Sequence, residues 1–261
     1  MYKMIVSDFY DALIDREEAI PLSTMIEIDK IRQKGILFCI STSKSARFVI
    51  DYNKDFPFID YVIAFNGAYV YDLVRDKVLY NKNLGVLIIK KLYKMFSDKN
   101  MCFYTLDHCN YIGDYKDKDY SRKIDDFPSF VEEYKKEIYS MKVCFTTKDE
   151  ATKVKSEIDD LCLNVKTYIK AYDNMFFVEI YSNINNRLFG LNKICNKTNI
   201  DLNEVVGIGV SNDSYELIKN VGCSYCLSNA CGELKTISTN IGFNNNQKGV
   251  EQVIKNIYKS V

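Results

Sequence analysis

The sequence predicts an α/β protein: a doubly wound, Rossmann-like parallel sheet with an inserted α+β cap. Three observations carry that prediction. The first 80 residues alternate short apolar runs with amphipathic stretches, a strand–helix–strand–helix–strand order that makes a parallel sheet with right-handed crossovers. The middle of the chain breaks this rhythm with hairpin-like runs. From about residue 185 the alternation returns. An insert between two halves of one sheet directs attention to the carboxyl ends of the strands, where open α/β sheets bind ligands.

Each element has its own signal. Met4-Ile5-Val6 is a short apolar run followed by polar residues, as in a buried parallel strand. Thr24 and Glu27 have capping-box spacing, and Leu22, Met25, Ile26 and Ile31 form a helical stripe that stops at Gly35. Ile36 to Ile40 reads as the next strand and Ser45 to Tyr52 as a short helix. Tyr61 to Phe65 is the third strand, ended by the turn pair Asn66-Gly67. Tyr69 to Tyr80 alternates like a hairpin, and Leu87 to Phe96 is an amphipathic helix with a lysine-rich face. Residues 110–125 mix tyrosine with charges of both signs and read as a solvated excursion. Met141 to Thr146, Ala151 to Leu161 and two strand-like runs ending at Phe176 to Ile180 make the insert α+β. A helix to Lys197, a strand at Val205 to Ile208 and a last helix from Gln247 to Tyr258 complete the core. The expected core is residues 1–82 and 183–261, with the cap at 83–182.

Composition narrows the function classes. Basic and acidic side chains number 35 each, so the chain lacks the positive footprint of a general nucleic-acid binder. Apolar stretches such as Gly85 to Ile89 stop far short of a membrane span. An acidic residue as early as Asp8 argues against a signal peptide. Nine cysteines, most in apolar runs like those of Cys39 and Cys144, suit buried thiols in a reducing, cytoplasmic compartment. Cys223, Cys226 and Cys231 have zinc-like spacing, but the one histidine, His108, is distant and no fourth ligand is evident. Packing is their expected role. A single imidazole with no serine or cysteine partner motif also argues against histidine-dependent nucleophilic catalysis.

Several motifs then fall in a telling order. The first strand leads into Asp8-Phe9-Tyr10-Asp11-Ala12-Leu13, and the second ends in Ser41-Thr42-Ser43-Lys44. Phe65-Asn66-Gly67-Ala68 follows the third strand, and Glu179-Ile180 precedes a helix bearing Arg187. Gly209-Val210-Ser211-Asn212-Asp213-Ser214, Ser228-Asn229-Ala230 and Asn245 to Val250 close the set. Together these resemble the haloacid dehalogenase superfamily, specifically its Cof-type sugar-phosphate phosphatases, over nearly the whole chain. The family reaction implied is magnesium-dependent hydrolysis of small phosphate monoesters through an aspartyl-phosphate. On that resemblance Asp8 and Tyr10 take the catalytic positions. Thr42, Ser43, Asn66, Gly67 and Arg187 take substrate-binding positions, and Asp8, Asn212 and Asp213 lie near the metal.

The departures are as informative as the matches. Tyr10 stands where the family has its acid/base aspartate, and a phenol ionising near pH 10 is a poor base at neutral pH. Asp11 replaces a glycine and Ala12 a threonine. Val210 replaces a metal-binding aspartate, Ser214 the last aspartate of its loop, and Arg187 a lysine. A one-residue slip would make Asn212-Asp213 the Asn-Asp pair and restore one carboxylate. The expectation is a phosphatase-like protein with weak or lost hydrolysis and weak magnesium binding. A non-catalytic protein that binds a phosphorylated metabolite or a protein partner is the alternative. Metal-free dehalogenase-type chemistry, suggested by Tyr10 and Ser211-Asn212, is a third reading.

Overall fold

The computed structural model describes residues 1–14, 19–55, 57–115 and 121–258. Its contacts divide the chain into two compact units, Met1–Tyr80 with Asn186–Val261, and Asn81–Asn185. The first unit begins with β1 (Met4–Asp8), α1 (Leu22–Gln33), β2 (Leu37–Ser41), α2 (Arg47–Asp55), β3 (Tyr61–Ala64), β4 (Tyr69–Asp72) and β5 (Lys77–Asn81). The second unit contains α3 (Val86–Met95), β6 (Asn100–Tyr104), β7 (Cys109–Ile112), β8 (Ser121–Lys123) and α4 (Phe127–Tyr134). It continues through β9 (Ser140–Phe145), α5 (Lys148–Asp160), β10 (Val165–Tyr172) and β11 (Met175–Ser182). The first unit resumes with α6 (Arg187–Thr198), β12 (Val205–Gly209), α7 (Tyr215–Asn220) and β13 (Cys223–Leu227). It ends with α8 (Gly232–Ile237), β14 (Asn240–Gly242) and α9 (Gly249–Tyr258). Among the described residues no helix is long and apolar enough to cross a membrane.

The large sheet runs β14-β13-β12-β1-β2-β3-β4-β5. β1 is central and lies parallel to β2 on one side and β12 on the other, with Val6 opposite Cys39 and Gly207. Every residue of β1 and β12 is buried, as the unbroken apolar runs require of strands covered on both faces. β4 reverses against β3, so the predicted hairpin lies at the edge of a parallel sheet. The predicted α/β class, doubly wound and Rossmann-like, is the class observed.

The capping-box reading of Thr24 is corrected. Pro21 occupies the N-cap of α1, and Thr24 is buried inside the first turn. The Ser23 and Thr24 hydroxyls donate to the Glu251 carboxylate of α9, at 2.6 and 3.4 Å, so the spacing serves a helix–helix contact instead. Burial pushes the Glu251 carboxyl up, but hydrogen bonds from Lys255 and Ser23 prevail and hold it below the ordinary glutamate range. A depressed carboxyl contributes stability that is complete above about pH 4.3 and is lost as pH falls through the folded-state value. Glu251→Gln should therefore flatten the acid limb of a urea-denaturation stability profile. An unchanged slope between about pH 5 and pH 3 would refute this linkage.

In the second unit the sheet order is β10-β11-β9-β6-β7-β8. One face packs Met101, Phe103, Met141, Val143, Val178 and Ile180 against helices α3, α4 and α5. The opposite face carries Cys102, Cys144 and Phe177, with the Lys142 ammonium 3.4 Å from Glu179. The solvated excursion expected at 110–125 is corrected in part, because β7 pairs with β6, and β8 with β7. β7 is only four residues long and the edge strand β8 only three, too short for either to show a hydrophobic period. Residues 116–120 of that stretch lie outside the described residues.

Candidate active site

The parallel register brings three strand ends together. Asp8 closes β1 directly opposite Ser41 at the end of β2, and Val210 follows β12 on the other side. Asp8 is only 3% exposed, and its carboxylate is heavily bonded. Oδ1 accepts from Ser41 Oγ at 2.9 Å, Ser214 Oγ at 2.5 Å and Arg187 Nη1 at 2.5 Å. Oδ2 accepts from the Val210 backbone N–H at 3.0 Å. A buried carboxylate must be satisfied in this way or protonated.

Arg187 arrives from α6 through a tightly packed turn. Asn186 caps that helix by accepting from the Phe189 N–H at 2.7 Å. A Cβ on Gly67 would lie 2.1 Å from the Asn186 carbonyl oxygen, and one on Gly190 would lie 2.5 Å from Ile63 Cγ2. Glycine at both positions lets the start of α6 sit against the loop after β3. In that loop Asn66 adopts a left-handed backbone (φ 51°), which asparagine tolerates. Its Oδ1 accepts from Arg187 Nε at 3.0 Å. The guanidinium is thus gripped along its length: Nε by Asn66, Nη1 by Asp8 and by Ser214 Oγ at 2.6 Å, with Nη2 3.7 Å from Asp213.

The remaining predicted residues are arranged around this cluster. Thr42 is buried, and its Oγ1 accepts from the Lys44 N–H at 3.0 Å, while its carbonyl accepts from the Asn66 N–H at 3.1 Å. These bonds lace the Thr42-Ser43-Lys44 turn to the Asn66-Gly67 turn. Tyr10 lies in the turn after β1 with the Lys44 ammonium 4.0 Å above its ring. Asp11 has φ 60°, so an acidic residue occupies a left-handed position that otherwise favours glycine. Its carbonyl accepts from Asn229 Nδ2 at 2.8 Å, and that of Ile14 from Asn245 Nδ2 at 3.1 Å. The Ser-Asn-Ala and Asn-to-Val motifs therefore pin the turn that carries Tyr10.

Asn212 does not join the cluster. Its amide donates to Glu233 at 2.7 Å, and its carbonyl accepts from the Cys231 thiol at 2.6 Å. Ser214, rather than Asp213, brings its side chain from this loop to Asp8, which favours the unslipped alignment. Three groups lie in the quoted motifs but were given no binding role there, and the structure adds them to the site: Ser41, Lys44 and the Val210 backbone N–H. Ser41 had a signal, a polar residue ending an otherwise apolar strand. Cys223 and Cys226 lie three apart on the extended strand β13, which turns their side chains to opposite faces. Their sulfurs meet different Asn240 groups, the Cys223 sulfur accepting from Nδ2 and the Cys226 thiol donating to the carbonyl, while Cys231 meets Asn212.

A magnesium ion does not fit this donor set. Hard divalent cations demand several oxygen ligands, usually with carboxylates among them. Asp8 already accepts four hydrogen bonds, one of them from a guanidinium against its Oδ1. Val210 offers a buried alkyl side chain, and Asn212 faces elsewhere. Among the described residues no group of three or more His, Cys, Asp or Glu could hold a metal ion. Of the expected ligand trio Asp8, Asn212 and Asp213, the first and third flank Arg187, and the second points to Glu233.

Fold and site define a class: a doubly wound α/β protein with a buried carboxylate ending its central strand and an α+β unit inserted in the chain. The haloacid dehalogenase-like hydrolase family matches residues 5–254, and the chain belongs to that family, in its Cof-type branch. It is similar to YxeH of Bacillus subtilis (strain 168), 23% identical over 272 residues that cover 97% of each chain. Among solved structures it resembles a haloacid dehalogenase-like hydrolase from Bacteroides thetaiotaomicron, with a TM-score of 0.86 at 16% identity over 99% of this chain and 100% of that one. The subclass IIB sugar phosphatase BT4131 gives a TM-score of 0.78 at 17% identity over 98% of each chain. At such identities these structures establish the shared fold.

Proposed function

We propose that this chain is a Cof-type phosphatase-like protein that binds a small phosphorylated metabolite and hydrolyses it weakly or not at all. The carrying observation is the state of Asp8. Attack on phosphorus needs a carboxylate oxygen available to the substrate and positive charge to neutralise the phosphoryl oxygens. Here both oxygens of Asp8 accept hydrogen bonds, and the guanidinium beside it is neutralised by Asp8 itself. Tyr10 adds no acid/base group suited to neutral pH.

The ligand class is inferred from the family and from relatives such as the sugar phosphatase BT4131. Thr42, Ser43, Lys44 and Asn66 are the groups proposed to meet the phosphate, with residues 83–182 acting as the cap. Nine cysteines, most of them buried, suit a reducing compartment, and we assign the chain to the cytoplasm. In a phosphatase screen with magnesium, wild type and Asp8→Asn should release phosphate at the same background rate. Brisk wild-type turnover abolished by Asp8→Asn would overturn the reading.

A further inference from the structure

We propose that the Arg187 guanidinium is the resident cation of this site, standing in for both a divalent metal and a lysine ammonium. The core then folds and keeps its shape without magnesium. The proposal deepens the functional reading above, and rests on it for which residues make up the site.

Charge and geometry agree. Asp8 and Arg187 form a buried pair with side chains 3% and 5% exposed, and Asp213 is the second anion, 3.7 Å from Nη2. Val210 and Ser214 add no charge. The substitutions depend on one another. Ser214 accepts from Nη1 and donates onward to Asp8 Oδ1, a relay that only a hydroxyl supports at this spot. A carboxylate there would press a second anion against Asp8 and call for more positive charge. A lysine would supply a point charge, without the separate Nε and Nη groups that meet Asn66, Asp8 and Asp213 at once. Val210, which follows β12, has a buried alkyl side chain with no polar atom, so it offers Asp8 only its backbone N–H.

Thermal denaturation tests the proposal. Millimolar magnesium or a chelator should move the wild-type Tm by no more than about 1 °C, since nothing binds the folded state preferentially. Arg187→Met should lower Tm by roughly 6–20 °C, because removing one partner leaves a buried charge unpaired. Asp8→Asn should also lower Tm, and the Asp8→Asn/Arg187→Met double variant should recover more than half of the Arg187→Met loss. If Arg187→Met does not accumulate folded, recovery of folded protein in the double variant reports the same coupling. Additive losses, or a magnesium-dependent rise of several degrees in wild type, would overturn the proposal. So would calorimetric magnesium binding that Asp8→Asn abolishes. Brisk hydrolysis by wild type in a chelator would sink the functional reading and leave this one standing. Saturable magnesium binding by an inert wild type would do the reverse.

Discussion

Arg187→Lys combined with Tyr10→Asp, Val210→Asp and Ser214→Asp should raise magnesium-dependent hydrolysis of p-nitrophenyl phosphate at least about a hundredfold above wild type. The size of the expected gain follows from the number of defects removed together. Tyr10→Asp alone restores a carboxylate two residues after Asp8, yet leaves Asp8 bonded to the guanidinium. Val210→Asp and Ser214→Asp without Arg187→Lys place new carboxylates around a guanidinium still held by Asn66 and Asp8. Groups that act as a unit give effects far from the product of single changes, so each single variant should stay near background. The measurement is initial rate with magnesium and with chelator, after circular dichroism has shown wild-type secondary structure. A folded but inert quadruple variant would mean that the turns carrying Thr42 and Tyr10 have also diverged beyond the reaction.

Gly67→Ala should destabilise the protein by at least about 3 kcal/mol, or roughly 6–12 °C in Tm. The backbone at Gly67 has φ 94°, and the added methyl would sit 2.1 Å from the Asn186 carbonyl oxygen, a backbone atom with no rotamer to retreat into. Relief requires the start of α6 to move, and Arg187 is the first residue of that helix. Gly35→Ala is the matched control. It has a similar φ of 81°, but no atom lies within 4 Å of the new methyl. Only the left-handed backbone penalty then applies, about 1–2 kcal/mol. Equal Tm losses in the two variants would show that the close approach of Asn186 contributes nothing.

Much of this molecule was legible in its residues. Unbroken apolar runs such as Met4 to Val6 and Val205 to Ile208 mark strands buried on both faces, and the helical stripes between them dictate parallel crossovers. Asn66-Gly67 announced its turn because few other pairs accept a left-handed backbone. The ordered motifs identified the family and marked Tyr10, Val210, Ser214 and Arg187 as departures from it. Local pattern was weaker where structure depends on distant partners. Thr24 has a capping signature, yet it faces Glu251, a residue 227 positions away. The short strands β7 and β8 carry no hydrophobic period, because backbone pairing to β6 and to each other, rather than an apolar face, places them in the sheet.

Periodicity, turn chemistry and ordered motifs are local properties of the chain, and they were enough to read the fold, the family and the substituted positions. What those substitutions do together depends on segments far apart in the chain. Asp8, Asn66, Arg187 and Ser214 come from four separate segments, and the register of β1 between β2 and β12 sets one buried carboxylate opposite one guanidinium. Burial then makes that pairing obligatory, since an unpaired charge in a dry interior is too costly to keep.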